Sequence, residues 1–189
     1  LVQVRATNRT PTSAEMDRAE TIAREYIADR ERKGDRNAFI TEVNEVTGGL
    51  DMKISTNQMG GGIAERIVRQ LGGNYTANET LVTEDSDGNE VYRVTYAIRL
   101  PRYRPGEVIE PDDDGPVLVQ SVRGNLKGRR LTTGEDYEAA FEDGDAPDAK
   151  RLGTREDGEE TTLVTVEDDH AVQVLDPETY EEIGRASCR

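Results

Sequence analysis

The chain of 189 residues contains one cysteine, one histidine, no tryptophan and only four lysines. The single cysteine, Cys188, excludes an intrachain disulfide and a cysteine zinc cluster. The single histidine, His170, excludes a multi-histidine metal site. No cysteine or serine motif supplies a partner for a nucleophilic triad. His170 falls between two strand-like runs and reads as a turn or surface residue. No apolar run approaches the ~20 residues of a membrane span, and no signal peptide is visible. The expectation is a cytoplasmic protein with no membrane partner.

Acid is abundant instead. Thirty-nine Asp and Glu against 24 Lys and Arg give a net charge of −15, and only 34% of residues are hydrophobic. Such a composition usually accompanies disorder, but the apolar residues here are periodic, which favours folded domains with an acidic surface. The four lysines (Lys33, Lys53, Lys127, Lys150) leave twenty arginines. A lysine-poor surface coated with carboxylates suits the cytosol of a halophile, where salt screens charge and carboxylates hold water.

Along the chain, LVQVRA (1–6) alternates as an opening strand, and its abrupt start suggests a piece of a longer chain. Thr12 with Glu15 forms a capping box ahead of a helix whose apolar stripe is Met16, Ala19, Ala23, Tyr26 and Ile27. Gly34 ends it, and a second helix is expected from Asp35, with Phe39, Val43 and Val46 inward and Gly48-Gly49 as its stop. Leu50, Met52 and Ile54 alternate as a strand. A third helix, with Ile63, Ala64, Ile67, Val68 and Leu71 inward, follows Gly60-Gly61-Gly62. Two strands joined by an Asp/Gly turn at 84–89 complete a small sheet with helices on one face. This α+β domain is expected over 1–101.

Residues 102–185 differ in kind. Short runs at Glu107–Ile109, Val117–Arg123, Arg130–Thr132, Thr162–Val166 and Val172–Leu175, separated by Gly, Pro and acids, suggest a small β-barrel, with one short helix at Glu135–Phe141 and a tail at 186–189. The acidic stretches Glu142–Asp148 and Glu156–Glu160 read as solvated loops, and Asp112-Asp113-Asp114-Gly115 as a turn, since it lacks the later Glu of a calcium loop.

The triple glycine invites a nucleotide reading and fails it. A phosphate loop needs Lys and Ser or Thr after its last glycine, whereas Gly62 is followed by Ile63-Ala64. A dinucleotide fingerprint needs glycines at a different spacing. Two readings stay open: a tight turn into the helix, or a loop at Gly60, Gly61 and Gly62 whose N–H groups accept an RNA phosphate. The carboxylates form no acid/base pair, so an enzyme is not expected.

Two basic islands interrupt the acidic chain. One is Arg99, Arg102, Tyr103 and Arg104; the other is Arg123, Lys127, Arg129 and Arg130. Over 99–130 seven basic residues stand against five acidic ones, a local excess that points to a polyanion. Arginine grips phosphate with a two-pronged fork, and Tyr103 could stack on a base. With Arg93 these form the candidate RNA contacts. The alternative is that the arginines pair with neighbouring acids.

VQVRATNRTPTSAEMD, GLDMKIST, RIVRQLGG, TLVTEDSDGNEVYRVTYAIRLPRYRPGEVI and VQVLDPETYEEIG occur in an order that resembles the archaeal branch of the NMD-three family, from Val2 to about Gly184. RVTYAIRLPRYRPGEVI is the most specific piece. The resemblance implies docking on the large ribosomal subunit and its ribosomal RNA near the tRNA exit region during late assembly. It also implies a ribosomal-protein-like α+β domain followed by a module like translation factor five-A, which begins with an Src-homology-three-like barrel. Eukaryotic relatives are export adaptors; in an archaeon, assembly or quality control remains. The family carries zinc-ribbon cysteine pairs ahead of the first strand, absent here, so zinc is expected only in a missing N-terminal part. The function expected is therefore non-enzymatic binding of RNA and the large subunit. The alternative is an acidic module that binds basic ribosomal proteins or assembly factors.

Overall fold

The computed structural model describes residues 1–84, 90–141, 146–168 and 171–187. The expected turn at 84–89 and the acidic loop at 142–148 fall in part outside these residues, as does the tail with Cys188; His170 falls wholly outside. Two compact units are present, one carrying Leu1–Arg102 and the other beginning at Tyr103.

The first unit contains β1 (Val2–Ala6), α1 (Ser13–Arg32), β2 (Ile40–Val46), β3 (Gly49–Ile54), α2 (Asn57–Leu71), β4 (Asn74–Glu84) and β5 (Glu90–Leu100). The strands form one sheet in the order β2-β3-β1-β5-β4. Only the central pair is parallel, with Val4 opposite Ile98. Alternation decides the faces. Val2, Val4, Leu50, Met52, Ile98 and Leu100 pack against Ala19, Ile22, Ala23, Ile63, Ala64 and Ile67 of the two helices, and the intervening residues point to the other face. Each fully buried Ile, Leu, Met or Val contributes about 1.5 to 3 kcal/mol, and this cluster holds the unit together.

The capping box forms as its sequence dictates. Glu15 N–H donates to Thr12 Oγ1 at 3.3 Å, and the Glu15 carboxylate accepts from Thr12 N–H at 2.8 Å. Arg9 clamps the same carboxylate through both terminal nitrogens at 2.7 Å. Burial would raise the Glu15 carboxyl, but the Arg9 and Thr12 hydrogen bonds outweigh it and hold it below the usual range.

The helix expected after Asp35 is a strand. β2 pairs with β3 as a hairpin, from Ile40 opposite Ile54 to Val46 opposite Gly49. ITEVNEV is rich in β-branched residues, and a two-residue turn at Thr47-Gly48 lets it fold back on its neighbour. Phe39, expected to be buried, is 50% exposed; Val43 alone of the three expected inward residues packs against the core.

In the second unit, β6 (Glu107–Glu110), β7 (Val117–Ser121), β8 (Leu126–Arg130), β9 (Asp136–Ala139) and β10 (Lys150–Thr154) form an antiparallel sheet in the order β10-β6-β7-β8-β9. The expected barrel thus takes a barrel-like form with β10 and β9 as its ends. Its core is Tyr103, Ile109, Val117, Val119, Val122, Leu126 and Ala149. The short helix expected at 135–141 is β9: pairing of Leu126 with Ala139 and Gly128 with Tyr137 overrides the helix preference of Glu and Ala. A separate meander, β11 (Leu163–Asp168), β12 (Ala171–Leu175) and β13 (Glu182–Ser187), follows. β8, β10 and β13 were not marked by the apolar runs, because charged residues and glycine interrupt them. Among the described residues no helix is long and apolar enough to cross a membrane.

Candidate nucleic-acid interface

The triple glycine does not form a loop. Thr56 is the N-cap of α2, its hydroxyl accepting from Met59 N–H at 3.3 Å, so Gly60, Gly61 and Gly62 lie in the helix body. Gly60 N–H donates to Thr56 O at 3.1 Å and is spent within the helix. The expected phosphate-accepting loop is corrected accordingly.

The glycines instead admit two tyrosine rings. A Cβ on Gly60 would lie 2.8 Å from Tyr96 Cε2, and one on Gly62 would lie 2.1 Å from the Tyr26 hydroxyl oxygen. At Gly61 the nearest atoms of Tyr96 stand at 3.3 Å. Alanine favours a helix by about 1 kcal/mol over glycine, while overpacking costs about 1 to 3 kcal/mol. We therefore expect Gly61→Ala to be neutral or mildly stabilising and Gly62→Ala to destabilise by about 1 kcal/mol net, read as opposite shifts in urea midpoint.

The basic residues fall into two groups. Arg104 donates to the Glu107 carboxylate from Nε at 3.2 Å and Nη2 at 2.8 Å, and Arg151 joins it at 3.1 Å. Glu107 is only 4% exposed. Burial would raise its carboxyl, but hydrogen bonds from the Arg104 side chain and backbone and from Arg151 outweigh this and hold it below the ordinary range. This cluster borders a cleft of about 300 Å³ lined also by Thr154, Arg155 and Glu156. Arg130 grips Asp112 with two hydrogen bonds of 2.8 Å, and its guanidinium sits 5.1 Å from the centre of the Tyr137 ring. Lys127 lies 3.4 Å from Glu138. Arg102 has a partner as well.

Tyr103 is a core residue. It is 2% exposed, and its hydroxyl donates to Ala149 O at 2.6 Å and accepts from Ala149 N–H at 3.0 Å. Stacking on a base would remove it from the core of the second unit, so the expected stacking role is corrected. The RYRP phrase concentrates structural bonds, with Tyr103 buried and Arg104 half-buried against Glu107.

The second group is Arg93, Arg99, Arg123 and Arg129. All four are exposed, and among the described residues none forms an ion pair with a carboxylate. Arg123 and Arg129 belong to the second unit, Arg123 just before β8 and Arg129 near its end. Arg93 and Arg99 stand on β5, on the sheet face turned away from the helices.

That face carries residues that sequence reasoning missed. Opposite Arg99 stand Asn74 and Arg5, opposite Ala97 stand Thr76 and Gln3, opposite Thr95 stands Asn78, and opposite Arg93 stands Thr80. The signal was available in β4: Asn74, Thr76, Asn78 and Thr80 alternate with Tyr75, Ala77, Glu79 and Leu81. On the same face Arg5 is fixed to Asp51 at 2.7 Å, and Lys53 to Glu42.

The zinc implied by the resemblance would be held by cysteine pairs. One cysteine and one histidine cannot supply them, and among the described residues no three His, Cys, Asp or Glu side chains converge.

No curated protein matches the chain. The family model described as NMD3, second domain, matches residues 1–100, the span from β1 through β5 that builds the first unit. That match takes in more than half of the sequence, and the chain belongs to the NMD3 family, a family of ribosome biogenesis.

Proposed function

We propose that the chain binds ribosomal RNA on the large ribosomal subunit, without catalysis, and acts in the late assembly or quality control of that subunit. One observation carries the reading beyond the family: a chain of net charge −15 leaves Arg93, Arg99, Arg123 and Arg129 exposed and, among the described residues, without an ion pair to a carboxylate. Where acids outnumber bases so heavily, unpaired arginines are the groups available to phosphate. An acidic surface is also what a halophilic cytosol would require, and the interaction would then operate at high potassium.

The test is cosedimentation with purified large subunits over a range of potassium concentrations. Binding is expected to weaken with salt, with a log–log slope of roughly one per phosphate contacted. Pelleting that does not respond to salt, or no pelleting at any concentration, would sink the proposal.

A second reading, a module for basic ribosomal proteins or assembly factors, is favoured by the three-stranded meander. Its β11 exposes Leu163 (55%) and Val166 (61%), and the chain around it is rich in acid. A partner of that class would remain bound when the arginines are reversed.

A further inference from the structure

We infer that the open face of the first unit's sheet, centred on β4 and β5, is a docking surface for the sugar–phosphate backbone of double-stranded RNA. The inference rests on the RNA-binding reading above and specifies its surface and substrate class.

Charge is the first argument. On this face β4 presents Asn74, Thr76, Asn78 and Thr80, and β5 presents Arg93, Thr95, Ala97 and Arg99. The stripe has two arginines and no carboxylate, in a chain with 39 acidic residues. Glu79 of β4 alternates to the other face, opposite Val94. Further along the sheet the acids are neutralised in place, Asp51 by Arg5 and Glu42 by Lys53. The face therefore keeps a surplus of positive charge where the whole molecule is strongly negative.

Spacing is the second. Arg93 and Arg99 are six residues apart on one strand, about 20 Å at the rise of an extended chain. A free phosphate or a mononucleotide cannot engage both. An extended polyanion can, and the amide and hydroxyl rows between the arginines offer hydrogen bonds to phosphate oxygens and ribose hydroxyls along the way.

The described stripe also lacks aromatic rings. Tyr75 and Tyr96 turn to the helix side, their ring centres 6.3 Å apart and Tyr96 packed on Gly60 and Gly61. Tyr92 shares their parity, opposite Leu81. Unstacked bases of single strands are normally held on aromatic side chains, whereas duplex RNA is recognised by shape through its phosphates and 2′-hydroxyls. A polar stripe with two arginines and, among its described residues, no aromatic side chain matches the second mode.

The test uses fluorescence anisotropy with a 20-base-pair RNA duplex, the corresponding single strand and a DNA duplex of the same sequence. The intact chain is expected to bind the RNA duplex more tightly than either alternative. R93E/R99E is expected to weaken duplex binding more than tenfold and to lower the salt slope by about two. Because charge reversal could disturb the sheet, the milder N74A/N78A and R93Q/R99Q pairs, checked by their melting curves, should show graded losses. Equal or tighter binding of the single strand, unchanged duplex binding by the folded R93Q/R99Q chain, or equal competition by poly-glutamate would each overturn the inference while leaving RNA binding elsewhere in the chain intact. No RNA binding by the intact chain would overturn the broader reading with it.

Discussion

A chain carrying Gly73→Ala is expected to lose about 3 to 5 kcal/mol of stability in its first unit, a large fraction of what a domain has. Gly73 joins α2 to β4 with φ of +88°, in the region that favours glycine. A Cβ there would lie 2.0 Å from the Arg99 carbonyl oxygen and 3.0 Å from its carbonyl carbon. Both obstacles are backbone of the neighbouring strand, so no rotamer change relieves the contact. β4 would have to leave β5, with the pairing of Asn74 to Arg99 going first. Urea unfolding followed by circular dichroism, with Gly61→Ala as the control, distinguishes this from a general effect of adding methyl groups to glycines. A loss below 1 kcal/mol would show that the strand edge is free to yield.

Loss of the Glu107 carboxylate should damage the second unit to a similar degree. Glu107→Ala removes the acceptor of Arg104 N–H at 3.0 Å and of side-chain bonds from Arg104 and Arg151. Charge-assisted hydrogen bonds contribute about 1.5 to 3 kcal/mol each, and the partial exposure of both arginines reduces the total, so about 3 kcal/mol is expected. The acid response provides a separate check. The folded carboxyl lies below its ordinary value of 4.5, so its stabilisation is complete above that value and is lost as the pH falls through the lower folded-state value. The stability difference between the natural chain and Glu107→Gln should accordingly be constant near neutrality and shrink below pH 4.5. A difference that grows on acidification would contradict the assignment.

Sequence legibility followed the range of the interactions. The Thr12–Glu15 capping box, the stripe of α1 and the alternation of β5 depend on residues a few positions apart, and all could be read directly. β2 could not, because Ile40, Val43 and Val46 recur every three residues as in a helix, and only the irregularity between Ile40 and Glu42 in the pairing with β3 brings Ile40 and Val43 to the same face. β9 is likewise decided by a distant partner, since β8 is itself broken by Gly128 and charged residues. The candidate site divides likewise. Arg93 and Arg99 could be named from alternation, but the capture of Arg104 by a buried Glu107, of Arg130 by Asp112, and of Tyr103 by Ala149 requires a fold. The glycine triplet reads as a loop from local sequence, since the rings that need its space come from α1 and β5.

The central position of β1 has a consequence for synthesis. Val2 is paired with Tyr96, so β1 acquires its parallel neighbour only after about 90 further residues have been added. At 5 to 20 residues per second that interval is roughly 5 to 20 s, during which the β2–β3 hairpin can cover one edge of β1 and nothing can cover the other. The first unit is thus unable to mature gradually as it emerges. It must wait for β5 and then close in one step, with β1 as the seam.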